Sequence, residues 1–254
     1  MKAKEQAQEE KSLQPKVEAQ PLRVEETRNV IFKPNEGPQT DFLAASEREV
    51  LYGGSAGGGK SYAMLADPLR YMGNPSFSGL LLRHTTEELR ELIYKSQELY
   101  PKIWKGIKWS ERKMQWTAPS GAKLWISYLD REDDVLRYQG LAFSWIGFDE
   151  LTQWATPFAW NYMRSRLRST DPDLPVFMRA TTNPGGRGHH WVKKMFIDPA
   201  PYNRAFNATD IETGEDLKYP SGHEKAGKAL FKRKFIPARL TDNPYLSTSG
   251  DYEA

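Results

Sequence analysis

Five glycines crowd the residues just ahead of a lysine and a serine, in the segment "YGGSAGGGKSYAML" at residues 52–65. Glycine allows consecutive N–H groups to turn inward around an anion, and the start of a following helix adds positive potential. The pattern G-x-x-x-x-G-K-[ST], the P-loop, is matched by Gly54, Ser55, Ala56, Gly57, Gly58, Gly59, Lys60 and Ser61. We therefore expect nucleotide phosphates here, with Lys60 at the β- and γ-phosphates and the Ser61 hydroxyl on Mg²⁺.

Two adjacent carboxylates, Asp149 and Glu150, follow the mostly apolar run "FSWIGF". We expect Asp149 to hold the Mg²⁺ through water, and Glu150, which points the other way from a strand end, to orient and polarise the attacking water. A GTPase typically uses a glutamine for that task, and the chain contains no N-K-x-D stretch for guanine. The pair favours an ATPase that hydrolyses repeatedly. A small-molecule kinase stays open, although its usual acidic motif lacks the second acid.

A third polar cluster ends the apolar stretch "PVFMRATTNPGG". Thr181, Thr182 and Asn183 put two hydroxyls and an amide at the end of a predicted strand. In P-loop motors the strand next to the acidic one often ends in this way, where it can sense the γ-phosphate and pass the signal on. Taken alone, the segment fits equally well a polar strand end that enters an Asn-Pro-Gly turn.

Strand and helix patterns alternate along the chain and bring these clusters to strand ends. "REVLYGG" predicts a strand before the glycine loop, and "GLLLRHT" predicts a buried parallel strand. Thr85 and Glu88 have capping-box spacing at the start of the next helix. The alternation predicts an α/β fold, a mainly parallel sheet with helices on both faces. In such sheets ligands bind at the C-terminal ends of the strands.

The composition limits the alternatives. The chain has 254 residues, 39% of them hydrophobic, a net charge of +3 and no cysteine, which suits one sizeable domain without disulfides. No apolar run reaches the roughly 18 residues that a membrane span needs, so we expect an intracellular protein without a membrane partner. Residues 1–28 balance six acids with six bases and lack aromatics, which is typical of a solvated tail. An arm that orders on a partner protein is the alternative.

With these motifs in order, the chain resembles the ATPase half of the large terminase subunit, the DNA-packaging motor of tailed bacteriophages. The resemblance covers roughly residues 36–246 and is carried by "GPQTDFL", "LYGGSAGGGKS", "LRYQGLAFSWIGFDELTQW", "RATTNPGG" and "LTDNPYL". It implies a P-loop NTPase fold of the ASCE type over residues 29–246. It also implies that residues 247–254 begin a linker to a nuclease half, and we expect that this chain does not itself cut DNA.

The same resemblance implies roles for individual residues. Gln39 matches a glutamine that contacts adenine, and the three clusters above match the phosphate, Mg²⁺, catalytic and coupling positions. Arg137, in "LRYQG", matches an arginine that reaches the ATP of a neighbouring subunit, and Arg131 is a weaker candidate. One departure is that many relatives carry an arginine inside the loop, where this chain has residues 55–57, "SAG". Because the loop lacks this arginine, Arg137 becomes the stronger candidate for the arginine that acts on ATP.

The partners implied by the resemblance are ATP, Mg²⁺, the portal protein, the small terminase subunit and double-stranded DNA. We expect a homo-oligomeric ring, of five subunits by resemblance, in the host cytoplasm and transiently at the procapsid portal. DNA binding that does not depend on base sequence needs Lys and Arg side chains that contact phosphates. The basic stretches at residues 160–207 and 228–239 are the candidates for this surface. Trp116 and Trp125 could stack on bases, although cross-strand packing is the commoner use. A helicase-like or DNA-remodelling ATPase, or a nucleotide-switched assembly protein with little turnover, are the rival functions.

Overall fold

The computed structural model describes residues 30–55 and 57–242. The predicted tail at residues 1–28 and the predicted linker at residues 247–254 lie outside the described residues, as does Ala56 of the glycine loop.

Nine strands in the described part of the chain form one sheet. The strands are β1 Glu49–Gly54, β2 Ser78–Arg83, β3 Lys108–Ser110, β4 Gln115–Thr117, β5 Lys123–Tyr128, β6 Trp145–Phe148, β7 Phe177–Thr182, β8 Ala205–Asn207 and β9 Lys232–Ala238. Their spatial order is β3-β4-β5-β2-β6-β7-β1-β9-β8. The six central strands, β5, β2, β6, β7, β1 and β9, pair in parallel with their neighbours. The pairs β3–β4 and β4–β5 at one edge and β8–β9 at the other are antiparallel. The mainly parallel sheet is confirmed.

The helices of the described residues are short except for one. They are α1 Pro38–Ala44, α2 Lys60–Ala66, α3 Thr86–Ile103, α4 Phe158–Arg164 and α5 His189–Val192, with 3₁₀ turns that include Asp67–Tyr71 and Glu132–Tyr138 and a π turn at Lys193–Ile197. The predicted cap of α3 is present, because the Thr85 hydroxyl accepts a hydrogen bond from the Glu88 N–H at 3.4 Å. In the described residues we find no helix that combines the length and apolarity needed to cross a bilayer.

Two apolar cores lie on opposite faces of the sheet. Successive residues of β1 divide between them, since Val50 and Tyr52 belong to one core and Leu51 to the other. Helices α1, α2 and α3 contribute to the first core, and α4, α5 and the turn at Glu132–Tyr138 contribute to the second. Because alternate side chains of a strand point to opposite faces, the helices cover both sides, as predicted.

The tryptophans of the β4–β5 hairpin serve packing. Trp116 is 2% exposed, and its ring centroid lies 5.3 Å from that of Trp109, its partner across the β3–β4 pair. Trp125 is half-buried and meets the edge of Phe143 at 6.0 Å. Strand β3, which supplies Trp109, was not predicted. Burial of Trp116 leaves no face of its ring open to a base.

Several arginines of the two basic stretches are buried in ion pairs. For these residues, the prediction that they belong to the DNA-binding surface is wrong. Arg179 and Arg233 are each only 1% exposed. Arg233 donates to the buried carboxylate of Glu49 at 2.7 Å, and Arg164 donates to the other oxygen of the same carboxylate. Arg179 lies 3.4 Å from buried Asp67. Buried cations need partners, and the carboxylates that supply them come from distant parts of the sequence.

We predict that Glu49→Ala lowers the free energy of unfolding by about 3–5 kcal/mol, because Arg233 would be left as a buried cation without its carboxylate. The measurement is the urea midpoint together with its slope. Glu91→Ala, which breaks the exposed Glu91–Lys95 pair, is the matched control and should cost no more than about 1 kcal/mol. Equal losses for the two variants would contradict a supporting role for the Glu49 cluster.

Candidate active site

The sheet order brings the three predicted clusters together. Strand β7 lies between β6, which ends at the two acids, and β1, which ends at the glycine loop. The C-terminal end of β7 therefore lies between the acids and the loop. Thr181 is in register with Tyr52 of β1, and Ala180 is in register with Phe148 of β6. All three clusters therefore stand at the C-terminal edge of a parallel sheet, where such folds bind ligands.

Two glycines of the loop are required by close contacts. Gly54 has φ +138°, and a Cβ there would lie 1.9 Å from the Ala238 carbonyl oxygen. Gly59 has φ +73°, and a Cβ there would lie 2.7 Å from Nε2 of Gln39. The Ser55 N–H donates to the same Ala238 oxygen at 3.0 Å. The loop is thus fixed against the end of β9, which only a residue without a side chain permits.

Lys60 is the first residue of α2 and turns its side chain back into the loop. Its Nζ donates to the carbonyl oxygens of Ser55 at 2.5 Å and Gly54 at 3.3 Å. Burial lowers the pKa of Lys60, and the nearby charges of Glu150 and Asp149 act in the opposite direction. The ammonium therefore occupies the centre of the loop, on the side that faces the acids.

Gln39 lies in the first turn of α1 and is buried against the loop. Its Nε2 donates to the Gly59 carbonyl at 2.9 Å, and its Oε1 accepts from the Asn35 N–H at 2.6 Å. The structure thus brings Gln39 to the end of the glycine loop. Its predicted contact with adenine stays a prediction.

Asp149 follows β6 directly and both of its carboxylate oxygens are engaged. Oδ1 accepts from the hydroxyl of Thr181, and Oδ2 accepts from the guanidinium of Arg83. Burial alone would lower the pKa of Arg83, but Asp149 and Glu88 outweigh it and raise that pKa. Arg83 was missed by sequence reasoning. The available signal was a charged residue at the end of the apolar run "GLLLR", the same kind of position as Asp149.

Glu150 is held by the predicted coupling motif. Its N–H donates to the Thr181 hydroxyl at 3.1 Å, and its carboxylate accepts from the backbone N–H of Asn183 at 2.9 Å and from its amide nitrogen at 2.8 Å. Glu150 has φ 60° and ψ 58°, so its direction is set by a left-handed turn, and the prediction that strand alternation sets it is wrong. Burial, followed by the charge of Asp149, raises the pKa of Glu150.

A cavity of about 130 Å³ lies beside the coupling motif. Its lining includes Gly53 and Gly54 from β1, Thr182 and Asn183 from the end of β7, and Val192 from α5. The end of β7 is therefore not packed on all sides, and Asn183, which holds the Glu150 carboxylate, borders this space.

Arg137 is exposed and lies at the far side of the sheet from the loop. Its guanidinium donates to the carbonyl of Tyr128, the last residue of β5, and lies 5.5 Å from the Tyr128 ring centroid. Four strand spacings of about 4.8 Å separate β5 from β1, a distance of about 19 Å. Arg131 is also exposed and lies 3.3 Å from Asp133. Neither arginine is brought to the loop of its own chain.

The oxygen ligands available for a metal are few. Within residues 30–55 and 57–242, no three His, Asp or Glu side chains gather as a metal-binding group. The Ser61 hydroxyl and the Asp149 carboxylate are hard oxygen donors of the kind that Mg²⁺ takes, and Mg²⁺ commonly binds through one or two carboxylates plus substrate phosphates. The donor set fits a metal that arrives with a nucleotide.

Comparisons with known proteins identify the family and the fold. A family model described as phage terminase large subunit matches residues 46–224. The large terminase of a thermophilic bacteriophage matches with a TM-score of 0.56 at 17% identity, over 85% of this chain and 48% of that one. The complex of that terminase with ADP matches with a TM-score of 0.55 at 16% identity, over 85% and 48%. The large terminase ATPase domain of Thermus phage P74-26 matches with a TM-score of 0.52 at 13% identity, over 82% and 81%.

No curated protein sequence matches the chain. At these identities the structural matches show the fold alone, and that fold is the α/β P-loop fold that the sequence predicts. The chain spans about half the length of the thermophilic bacteriophage terminase.

Proposed function

Because the chain belongs to the phage terminase large subunit family, we propose that it is the ATP-hydrolysing motor domain that drives double-stranded DNA into a procapsid. The observation that carries this proposal is the double hydrogen bond from Asn183 to the carboxylate of Glu150. It joins a residue able to orient water to the end of the strand beside the glycine loop. A motor needs such a link between the bound nucleotide and moving parts, whereas simple nucleotide binding does not.

In the proposed reaction, water attacks the γ-phosphate in line and Glu150 orients that water. Lys60 neutralises charge on the phosphates, and loop N–H groups bind the phosphate oxygens. Mg²⁺ held near Ser61 and Asp149 would supply charge neutralisation between the β- and γ-phosphates. Burial and the charge of Asp149 raise the pKa of Glu150, which makes its carboxylate a stronger base toward the attacking water.

We propose that Thr181, Thr182 and Asn183 transmit the state of the nucleotide. With both carboxylate oxygens held by Asn183, Glu150 is turned toward the end of β7. Water bound at a γ-phosphate would compete with Asn183 as the hydrogen-bond donor to this carboxylate. The neighbouring cavity leaves space for Asn183 to move once its hydrogen bonds to Glu150 break. Movement of this segment would pass along Gly185 and Gly186, both at positive φ, to α5.

The proposed partners are double-stranded DNA, bound without regard to sequence, the portal protein, the small terminase subunit and further copies of this chain in a ring of five. The proposed setting is the host cytoplasm and, transiently, the procapsid portal. With the buried arginines set aside, the exposed cations left in the two basic stretches include Arg168, Arg187, Lys193, Lys194, Arg204, Lys228, Lys232 and Arg239. Arg187 lies in the turn between the coupling motif and α5, and Lys194 lies in the π turn just after α5, which makes them the first residues to test for phosphate contacts.

The function is tested by steady-state phosphate release from ATP with and without linear double-stranded DNA. The proposal expects turnover that DNA raises, and little release from GTP. A nucleotide-switched assembly protein would bind ATP and release almost no phosphate under either condition. A helicase-like enzyme would unwind a forked duplex, which the proposed motor would not.

We predict that Lys60→Ala abolishes tight ATP binding, because the β- and γ-phosphates lose the cation at the centre of the loop. Calorimetric titration with ATP measures the affinity. Lys102→Ala is the control, since Lys102 is exposed on α3 and pairs only with Glu98 at 3.3 Å among the ion pairs of the described residues. An unchanged affinity in the Lys60 variant would show that the loop is not the phosphate site.

A further inference from the structure

Arg83 is an arginine of the active site that the proposed mechanism has not used. It is the last residue of β2, the strand beside β6, and its side chain is only 14% exposed. Its Nη1 donates to Oδ2 of Asp149, and its Nε lies 3.4 Å from Oε2 of Glu88. One guanidinium thus lies between two carboxylates, one buried at the reaction centre and one at the first turn of α3.

The pairing with Arg83 bears directly on metal binding at Asp149. The Thr181 hydroxyl occupies Oδ1 and the guanidinium occupies Oδ2, so both oxygens already have a donor. A divalent cation next to the same carboxylate would face a fixed positive charge at close range. Two like charges at such a distance repel strongly wherever water is partly excluded. Asp149 therefore cannot serve both cations fully at once.

Glu88 gives Arg83 a second partner. A buried guanidinium that lost its only carboxylate would carry a large penalty. Here Glu88, whose side chain is 34% exposed, remains within ion-pair distance when the contact with Asp149 is given up. The position of Glu88 is fixed by the Thr85 cap at the start of α3. The arginine can therefore shift between two carboxylates at little electrostatic cost.

We propose that Arg83 is a positioning residue that acts as the counter-ion of Asp149 until metal-bound nucleotide arrives, and then moves onto Glu88. This inference rests on the proposed function, since it concerns the same nucleotide site. It assigns Arg83 a role within its own subunit, distinct from that of an arginine supplied by a neighbour. In effect Arg83 raises the metal concentration that the site requires.

The test is a Mn²⁺ titration of the chain at fixed ADP, followed by electron paramagnetic resonance, which reports metal binding without catalysis. Arg83→Gln should lower the Mn²⁺ concentration for half-saturation by about fivefold or more, the effect of one unit charge at about 4 Å even with solvent-like screening. Glu88→Gln should raise that concentration, because the guanidinium then stays on Asp149. Arg83→Lys keeps the charge, and its half-saturating Mn²⁺ concentration should lie between those of Arg83→Gln and the unsubstituted chain.

Arg90→Gln is the matched control, because Arg90 is exposed on α3 and its loss changes the net charge equally. A half-saturation that is the same in the Arg83→Gln and Arg90→Gln variants would overturn the inference. Should circular dichroism show that Arg83→Gln does not fold, the Glu88→Gln arm decides: a rise supports the inference and no change overturns it. An unsubstituted chain that binds no ADP at any Mn²⁺ concentration would instead overturn the proposed function itself.

Discussion

Replacing Arg137 with alanine should leave ATP affinity and the slow turnover of the isolated chain unchanged, and should cost the assembled motor about 10³–10⁵-fold in ATP hydrolysis. The physical reason is distance. The guanidinium is tied to the Tyr128 carbonyl at the end of β5, about 19 Å across the sheet from β1. It cannot reach the glycine loop of its own chain, whereas its exposure leaves it open to a neighbour.

A mixing experiment separates a role in trans from a role in cis. Arg137→Ala subunits keep an intact Glu150, and Glu150→Ala subunits keep an intact Arg137. In a mixed ring, a Glu150→Ala subunit can offer its arginine to the catalytic site of an Arg137→Ala neighbour. Each variant alone should be inactive as a ring, and the mixture should regain measurable phosphate release.

Three results would contradict this assignment. Mixed rings whose assembly is verified by light scattering but which show no phosphate release would mean that Arg137 acts in cis or supports the structure. A loss seen with Arg131→Ala and not with Arg137→Ala would move the role to Arg131, which is also exposed. A fall in the turnover of the isolated Arg137→Ala chain would likewise exclude a purely trans role.

Glu150→Ala should retain ATP binding and lose about 10²–10⁴-fold in turnover, the usual contribution of a positioned general base. The carboxylate is held in a left-handed turn by two hydrogen bonds from Asn183. The neighbouring carboxylate of Asp149 is already engaged by Thr181 and Arg83, so it is not free to replace Glu150. Single-turnover hydrolysis at saturating ATP, together with calorimetric affinity, separates binding from chemistry.

The control for Glu150 is Glu98→Ala, which removes an exposed carboxylate of α3 and should change turnover little. Turnover of the Glu150 variant within a few-fold of the unsubstituted chain would mean that another group orients the water. A parallel loss of ATP affinity would mean that Glu150 supports the loop and does not act mainly in the chemical step.

The parts of the site that sequence predicts well are those encoded in consecutive residues. The glycine loop, the Asp149–Glu150 pair and the Thr181–Asn183 segment each combine a local motif with an apolar strand before it. Since parallel strands align their C-terminal ends, their meeting at one edge followed from the fold class. The cap at Thr85 is equally local, and it is present as predicted.

The contacts that sequence could not supply join residues far apart in the chain. The pairing of Arg83 with Asp149 spans 66 positions, and that of Glu49 with Arg233 spans 184. A count of basic residues treats Arg179 and Arg233 as surface charge, whereas folding buries them beside carboxylates. The sequence also did not predict the left-handed turn at Glu150. The alternation of side chains along a strand does not extend to a residue that follows its end.

We propose that ATP is bound and hydrolysed between the glycine loop and the Asp149–Glu150 pair. The most direct test is a crystal structure of the chain with Mg²⁺ and a non-hydrolysable ATP analogue. We expect β- and γ-phosphate oxygens at hydrogen-bond distance from Lys60 Nζ, about 3 Å, with the Glu150 carboxylate facing the γ-phosphate across one water. A nucleotide bound elsewhere, or phosphates in the loop with Glu150 pointing away from them and Asn183 still holding it, would overturn this mechanism.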